Sequence, residues 1–197
     1  MMDAGFLQSI SSCSEEHRAQ LRYLVAHAPP GSIVECGVYR GGSAAALIDA
    51  AGGKRDVWLF DSFRGFPDHG KEDDFEGMPD LSKGAGAINM AELIRNLSAL
   101  QLDLTRVNFV PGFFADSCRK MKELVGPIAL LNFDGDLAQS LRDVCDNLLD
   151  LVVIGGIIVI HDYPAFPGLK AAADKIFRAV NLRTLDNQSA FWVRPAV

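Results

Sequence analysis

The sequence predicts one α/β domain over residues 1–197, with a mainly parallel seven-stranded sheet and helices on both faces. Apolar segments of strand length alternate five times with amphipathic segments of helical length, which is typical of parallel strands joined by helical crossovers. The strand segments are continuous apolar runs, as expected when both faces of a sheet are covered. The C-terminal tail instead has two short β-type segments around the turn DNQS, which indicates an antiparallel hairpin at one edge.

The elements follow in order along the chain. The first is a helix that begins where Ser12 and Glu15 have capping-box spacing and that ends before Pro29 and Pro30. The predicted strands are 32–37, 56–61, 106–111, 127–133 and 155–162, and the hairpin consists of 181–185 and 190–195. Between the strands we expect helices at 43–51, 90–101, 116–125, 137–150 and 168–180.

Residues 64–89 form the one long segment without periodicity, and they are rich in Gly, Pro and acidic residues. Long irregular loops in compact domains are usually functional lids or disordered segments. We expect a mobile lid over the site, with a disordered insertion as the alternative.

Composition limits the classes of function. A formal net charge of −6 argues against non-specific nucleic-acid binding, which needs a basic face. The four cysteines have no zinc-site spacing, so we expect reduced thiols and a cytoplasmic protein. The N-terminus lacks a signal-peptide pattern, and the most apolar run, LVVIGGIIVI, is about half the length that spans a bilayer, so no membrane role is expected.

The stretch IVECGVYRGGSAAALI joins the first strand to the next helix. Glycines at such a turn let the backbone bend sharply and let a ligand approach the main chain. The spacing ExGxxxGG differs from the GxGxxG of dinucleotide-binding proteins. Candidate ligand-binding residues in this loop are Glu35, Gly37, Tyr39, Arg40, Gly41 and Ser43, of which Ser43 could hydrogen-bond a carboxylate.

An acid, Asp61, ends the second strand and is followed by Ser62. A carboxylate at this place suits the two ribose hydroxyls of an adenosine, and a cap of a helix or turn is the alternative role. The loop and the acid together predict a nucleoside cofactor without pyrophosphate. S-adenosylmethionine fits, because its ammonium and sulfonium groups tolerate nearby acids such as Glu35.

Acidic residues also follow the fourth and fifth strands. Asp134 and Asp136 come after the fourth, and His161 and Asp162 come at the end of the fifth. In an open α/β sheet, ligands bind outside the carboxyl ends of the strands. Oxygen ligands from two neighbouring strand ends suit Mg²⁺ or another hard divalent cation.

Four blocks, ECGVYRGGSA, LFDSFRGFPD, FDGDLAQS and GGIIVIHDY, resemble the macrocin O-methyltransferase family over about residues 31–178. The resemblance implies a Rossmann-like class I methyltransferase fold. It also implies S-adenosylmethionine-dependent, metal-assisted methylation of hydroxyls on sugars or other natural-product scaffolds. Carried over, the metal ligands are Asp134 and Asp162, with His161 at a position where the family more often has Asp. The imidazole could soften the metal site or act as a base, or it could be a satisfied histidine at a strand end.

Asp136 is the candidate general base for a metal-bound hydroxyl, and an N-cap of the helix at 137–150 is the other role considered. Phe113 or Phe114 could stack on the adenine ring, although a core role is equally open. Tyr163, Pro164 and the lid are candidate contacts for the acceptor, and His69 is expected to be solvent-exposed.

Three other functions are compatible with parts of the pattern. FDGDL superficially resembles the nucleophile motif of haloacid dehalogenase-type phosphatases, and Asp134 with Asp136 could form the metal-binding DxD of a sugar-nucleotide transferase. A non-catalytic cofactor-binding subunit is the third. The expected partner is a small-molecule acceptor, glycosylated or hydroxylated, and a homodimer is the default assembly.

Overall fold

In the computed structural model, which describes residues 3–73, 80–177 and 182–196, seven strands form one sheet in the order β3-β2-β1-β4-β5-β7-β6. β1 to β5 are parallel, and β7 is antiparallel to both β5 and β6. The predicted parallel sheet and its C-terminal hairpin are therefore confirmed. The strands are β1 Ser32–Cys36, β2 Val57–Asp61, β3 Val107–Pro111, β4 Ile128–Phe133, β5 Val152–His161, β6 Arg183–Thr184 and β7 Ser189–Val193.

Seven α-helices cover the two faces of this sheet in the described part of the chain. One buried apolar cluster joins the sheet to α1–α4, and a second joins it to α5–α7. This arrangement matches the expectation from continuous apolar strands. The helices are α1 Ala4–Ser9, α2 Glu15–His27, α3 Gly42–Ala51, α4 Met90–Ala99, α5 Phe114–Val125, α6 Ala138–Leu148 and α7 Pro167–Ile176. Across the described ranges, no helix combines the length and the apolar character that crossing a bilayer requires.

The start of α2 differs from the prediction. Ser14, not Ser12, is the N-cap, and its Oγ accepts a hydrogen bond from the His17 backbone N–H. The short helix α1 was also not predicted. The physical reason lies in the buried guanidinium of Arg18, which donates hydrogen bonds to the Ser11 hydroxyl, the Cys13 carbonyl, Gln8 and Glu15. The bonds to Ser11 and Cys13 hold residues 11–13 outside α2.

Two further boundaries differ. β5 begins at Val152, three residues before the predicted start, because Val152 pairs with Ile128 ahead of a register shift in the β4–β5 ladder. The last helix ends at Ile176. The final part of the helix predicted at 168–180 lies outside the described residues, as does Asn181, the start of the predicted hairpin.

The predicted lid is joined to the body of the protein at two places. The Phe66 N–H donates to the Ala85 carbonyl and the Gly84 N–H donates to the Phe66 carbonyl, which closes the base of the loop. The Asp73 carboxylate accepts the backbone N–H of Ala138, the first residue of α6. Residues 74–79 lie outside the described chain, and the mobility of the lid stays a prediction.

β1 and β4 are neighbours in the sheet although two strands, β2 and β3, lie between them in the chain, so the strand order changes direction at this point. Ligands bind at such a switch point in open α/β sheets. The strand ends are in close contact there, since the Asp134 N–H donates to the Cys36 carbonyl. Gly37 has φ +92°, and a Cβ on it would lie 2.0 Å from the Asp134 carbonyl oxygen. Only glycine fits this position.

We expect Gly37→Ala to lower the free energy of unfolding by at least about 3 kcal/mol. The substitution would combine the strain of a left-handed backbone conformation with a steric clash between the new Cβ and the Asp134 carbonyl. Gly52→Ala is the matched control. Gly52 also has a positive φ, but a Cβ added there would lie 3.9 Å from its nearest neighbour, the Asp49 carbonyl oxygen. The control should lose only about 1–2 kcal/mol. Urea denaturation measures both, and equal losses would contradict the proposed contact.

Candidate active site

A cavity of about 560 Å³ opens at the carboxyl ends of β1, β2, β4 and β5. Its walls come from the strand ends, the lid, α6 and the hairpin turn. The structure brings most of the predicted site residues together here. Those that line the cavity are Gly37, Tyr39, Asp61, Ser62, Phe113, Phe114, Asp134, Asp136, His161 and Asp162.

Glu35 and Ser43 lie behind the cavity wall rather than on it. The Glu35 side chain is completely buried and accepts a hydrogen bond of 2.9 Å from the Asn132 amide. Burial, with added repulsion from Asp134 and Asp61, raises the pKa of Glu35 to about 8, although hydrogen bonds from Ser43 and Asn132 oppose the rise. The direct contact with the cofactor expected for Glu35 is therefore not supported. A neutral Glu35 supports the loop from inside.

Arg40 and Gly41 also lie away from the cavity. The Arg40 guanidinium points towards Glu92 on α4, with an N–O distance of 3.9 Å, and its carbonyl accepts a hydrogen bond from Asn96. Gly41 is packed against Leu93, since a Cβ there would lie 2.7 Å from a leucine methyl. Both residues attach the glycine-rich loop to α4, and neither lines the cavity.

Asp61 fixes the glycine-rich loop through three backbone hydrogen bonds. One carboxylate oxygen accepts the N–H groups of Val38 and Tyr39, at 2.9 and 3.1 Å, and the other accepts the N–H of Phe63 at 2.8 Å. A carboxylate offers about four acceptor positions, so about one remains for a ligand. Asp61 is therefore a turn cap, and its role in binding a cofactor stays a prediction. It lacks the free positions to accept both ribose hydroxyls.

The two phenylalanines have different environments. Phe113 is 37% exposed and forms part of the cavity wall. Phe114 packs edge-to-face on Phe133, with ring centroids 6.4 Å apart, while one side of it reaches the cavity. Phe113 is the better placed of the two to stack on a planar ligand, and Phe114 belongs largely to the core.

Asp134, His161 and Asp162 form a compact cluster at the ends of β4 and β5. The His161 Nδ1 atom lies 2.9 Å from an oxygen of Asp134 and 3.0 Å from an oxygen of Asp162. One possible ligand atom from each of the three lies within 4.8 Å of the other two. The predicted convergence of the two strand ends is therefore observed in the geometry.

This cluster is suited to hold one positive charge. The imidazole is 4% exposed, and burial alone would lower its pKa, but the two carboxylates raise the pKa of His161 to about 11. Nδ1 forms ion pairs with both carboxylates, at 2.9 and 3.0 Å, although neither contact meets the angular criteria of a hydrogen bond. Two carboxylate oxygens and one imidazole nitrogen that converge in this way could also hold a divalent cation, and this set suits Mg²⁺, Mn²⁺ or a softer ion. The residues present fit a metal.

Asp136 lines the cavity beside the cluster and adopts a left-handed backbone, with φ +58°. Burial and the charges of Asp134 and Asp162 raise its pKa well above the ordinary value. The alternative role as N-cap is wrong, because Leu137 is the N-cap residue and Asp73 of the lid accepts the first free N–H of α6. The Asp136 carboxyl therefore remains available to the cavity. Strained backbone at such a position is typical of functional sites.

Two residues distant in sequence pack behind the cluster. The His17 ring lies against the His161 ring, with centroids 4.6 Å apart and an angle of 61° between the planes. His17 Nδ1 is 2.8 Å from a carboxylate oxygen of Asp186 in the hairpin turn. Burial and the neighbouring His161 lower the pKa of His17, with Asp186 opposing the shift. His17 is therefore the neutral member of the histidine pair.

The wall opposite the strand ends was largely missed by the sequence analysis. It includes Phe66, Phe166, Gln139 and Asp143, of which the last two lie one turn apart on α6. Gln139 and Asp143 lie four positions apart shortly after FDGD, and this spacing could have indicated from the sequence that both face the cavity. His69 is half-buried on this wall, not fully exposed as expected.

The expected acceptor contacts at Tyr163 and Pro164 are not supported. The Tyr163 hydroxyl hydrogen-bonds Asp174 at 2.6 Å, which turns the ring towards α7, and neither residue lines the cavity.

Comparison with known proteins gives consistent matches. The sequence model of the family described as Macrocin-O-methyltransferase (TylF) matches residues 14–194. Demethyldecarbamoylnovobiocin O-methyltransferase of Streptomyces niveus is 33% identical, with 95% of this chain and 72% of that protein covered. The 8-demethyl-8-(2,3-dimethoxy-alpha-L-rhamnosyl)-tetracenomycin-C 4'-O-methyltransferase of Streptomyces olivaceus is 34% identical over 71% of this chain and 56% of its own length. Among solved structures, the O-methyltransferase NovP superposes with a TM-score of 0.80 at 30% identity, covering 95% of this chain and 83% of that one.

We expect Glu35→Gln to become progressively more stable than the wild type as pH rises from about 4.5 to about 8. In this window the unfolded wild type has lost the Glu35 proton while the folded protein keeps it, so rising pH favours unfolding of the wild type alone. The difference in the free energy of unfolding should grow by up to about 1.4 kcal/mol per pH unit. Urea denaturation at several pH values measures it, and a difference independent of pH would contradict a neutral buried Glu35.

Proposed function

Because the chain belongs to the macrocin O-methyltransferase family, we propose that it methylates a hydroxyl of a sugar on a natural-product scaffold with the help of a divalent cation. The chain is an S-adenosylmethionine-dependent O-methyltransferase. The observation that carries the finer proposal is the convergence of Asp134, His161 and Asp162 beside Asp136 in one cavity with the glycine-rich loop.

The sugar acceptor is supported by the named relatives and by the cavity. The Streptomyces olivaceus relative is named as an enzyme that methylates a rhamnosyl group, and the Streptomyces niveus relative as one that methylates a novobiocin precursor. The wall formed by Gln139, Asp143, Phe66 and Phe166 combines polar hydrogen-bonding groups with aromatic rings. Such a combination binds the hydroxyls and the apolar faces of a sugar.

The other functions considered have less support. The FDGD aspartates follow the fourth strand of the sheet, and the matches with known proteins are O-methyltransferases rather than phosphatases or sugar-nucleotide transferases. The same matches argue against a subunit without catalysis. A cytoplasmic location and a homodimer remain predictions.

The nucleoside end of the cofactor is proposed to bind between the glycine-rich loop and α5. Asp61 holds the backbone of Val38 and Tyr39 in place and would offer its remaining acceptor position to one ribose hydroxyl. Phe113 would stack on the adenine ring. Gly37 admits the ligand close to the main chain because it has no side chain. Bound there, S-adenosylmethionine supplies an electrophilic methyl group.

Asp136 is proposed as the general base. A sugar hydroxyl is too weak an acid to lose its proton unaided at neutral pH, and the raised pKa of Asp136 brings this carboxyl closer to the pKa that proton removal requires. A cation held by Asp134, His161 and Asp162 would supply Lewis acidity at the hydroxyl oxygen. The apolar part of the wall, which includes Phe66 and Phe166, excludes water from the developing alkoxide. The protein's contribution is then positioning and proton removal.

We expect Asp134→Asn to lower turnover at least about 100-fold, because the Lewis acid is worth several kcal/mol, while S-adenosylhomocysteine binding stays nearly unchanged. S-adenosylhomocysteine release with demethyldecarbamoylnovobiocin as the first acceptor measures turnover, and calorimetry measures binding. Chelator treatment of the wild type should give the same loss, reversed by added Mg²⁺. Normal turnover of the variant in the presence of chelator would exclude the metal-assisted reaction.

Asp136→Asn should lower kcat by about 10²–10⁴-fold with little change in cofactor affinity, because the amide cannot accept the proton. Asp143→Asn is the matched control, since Asp143 lines the same cavity but lies on α6 and hydrogen-bonds Gln139. Because Asp143 belongs to the wall proposed to bind the sugar, the control should raise KM but change kcat less than about tenfold. Steady-state kinetics distinguish them, and a wild-type kcat for Asp136→Asn would assign the base elsewhere.

A further inference from the structure

A single turn of 3-10 helix, Lys71–Asp73, connects the lid to the starts of α6 and α7, and we call this turn the clasp. Its last residue, Asp73, is 6% exposed, whereas the two residues before it are exposed. Burying a carboxylate costs free energy unless the group is hydrogen-bonded. Both oxygens of Asp73 accept the backbone N–H of Ala138, at 3.0 and 3.2 Å. The burial of Asp73 is therefore matched by a bond to the first residue of α6.

The clasp is also in close contact with α7. Gly168 is buried at the second position of that helix, and a Cβ on it would overlap the Glu72 carbonyl oxygen and lie 2.5 Å from Oδ1 of Asp73. The N-cap residues of α6 and α7 are Leu137 and Phe166, which are apolar and offer no side-chain cap. One carboxylate therefore lies at the N-terminal ends of two helices, where the helix dipoles favour a negative charge.

A third contact of the clasp lies at the surface. The Glu72 carboxylate pairs with the Arg142 guanidinium on α6, and both side chains are partly exposed. Exposed ion pairs contribute little to stability. The buried contacts of the clasp with Ala138 and Gly168 are therefore the ones that hold it in place.

The segments that the clasp joins form the cavity wall opposite the strand ends. α6 contributes Gln139 and Asp143, the residue before α7 is Phe166, and the lid contributes Phe66 ahead of the clasp. These three segments are far apart in the chain, and the clasp contacts the helix starts that follow Leu137 and Phe166. A displacement of the clasp would move the three segments relative to one another, so the shape of the wall depends on it.

We propose that Asp73 is a positioning residue for the acceptor: by joining the lid to the starts of α6 and α7, it sets the shape of the wall against which the acceptor binds. The inference rests on the proposed function, because this wall is the surface assigned there to the sugar. When only a fraction of the molecules has the wall in place, the apparent affinity for the acceptor falls by that fraction. The cofactor is assigned to the glycine-rich loop and α5, which the clasp does not join, so cofactor binding should not depend on Asp73.

Steady-state kinetics of the full chain with demethyldecarbamoylnovobiocin test the proposal. Asp73→Ala should raise the KM for this acceptor about tenfold, the order of magnitude that corresponds to one lost helix cap, and should change kcat less than about threefold. The affinity for S-adenosylhomocysteine, measured by calorimetry, should stay within about twofold. Asp73→Asn keeps an oxygen that can accept the Ala138 N–H, so it should recover most of the acceptor affinity.

Asn89→Ala is the matched control for the loss of a helix cap. The Asn89 side chain accepts the Ala91 N–H at 2.8 Å at the start of α4, and it does not line the cavity. Its loss should lower the melting temperature about as much as Asp73→Ala does, but the KM for the acceptor should stay within about twofold. Equal increases of KM in the two variants would overturn the inference, because acceptor binding would then follow general stability. Thermal unfolding of each variant shows whether it is folded.

Gly168→Ala tests the other side of the clasp without removing a polar group. The new Cβ would displace the Glu72 carbonyl, so the KM for the acceptor should rise by a factor similar to that of Asp73→Ala. Gly70→Ala is the control directly before the clasp. The nearest atoms to a Cβ at Gly70 are 4.0 Å away on the flexible Glu72 side chain, so this variant should keep the wild-type KM. A wild-type KM for Gly168→Ala would contradict the proposal.

Hydrogen exchange measures the clasp without enzymatic activity. In Asp73→Ala, the backbone amides of residues 66–73 and of the first turns of α6 and α7 should all exchange faster than in the wild type. Faster exchange confined to α6 would overturn the inference, because Asp73 would then be a helix cap alone. An unchanged acceptor KM for Asp73→Ala beside an active wild type would overturn it while leaving the proposed function intact. A wild type that methylates no glycoside offered would overturn the proposed function and the inference together.

Discussion

The repulsion between carboxylates at adjoining strand ends is the constraint on which the rest of this site depends. β4 and β5 are rigid parallel neighbours, so Asp134, Asp136 and Asp162 are brought into one partly buried cavity whether or not their charges are balanced. Burial, together with the charges of Asp134 and Asp162, raises the pKa of Asp136 well above its ordinary value. Left-handed backbone at Asp136 and Asp162, with φ of 58° and 55°, shows that the chain is strained to hold them there.

His161 relieves part of this repulsion because it is the last residue of β5 and its ring points between the two flanking carboxylates. A positive charge at Nδ1, whether a proton or a divalent ion, satisfies both oxygens at once. A third carboxylate at the same position would add repulsion and would need a cation to balance it. A protonated imidazole can therefore balance the two carboxylates in the absence of a cation.

Sequence periodicity was sufficient to place the strand ends, and therefore Asp61, Asp134, Asp136, His161 and Asp162, at one edge of the sheet. It could not show which way Glu35 points, because a strand buried on both faces gives no alternation from which to read side-chain direction. It also could not show that Asp73 caps α6 across 65 positions, since the helix has no capping residue of its own to signal the boundary. The role of Arg18 was missed for a related reason. A buried guanidinium with four partners is not distinguishable in sequence from an exposed helical arginine.

Two segments far apart in the sequence, α2 and the C-terminal hairpin, meet behind the site, and no local sequence motif indicates this contact. α2 supplies His17, the hairpin supplies Asp186, and the two are 169 positions apart when they meet behind His161. Arg18, the residue next to His17, fixes the preceding turn through Ser11 and Cys13, so the position of His17 is determined from both sides. The antiparallel hairpin therefore covers the sheet edge and also contributes a side chain, Asp186, to the packing behind the site. By placing Asp186 against His17, it holds in place a buried ring that packs on His161 at the edge of the cavity.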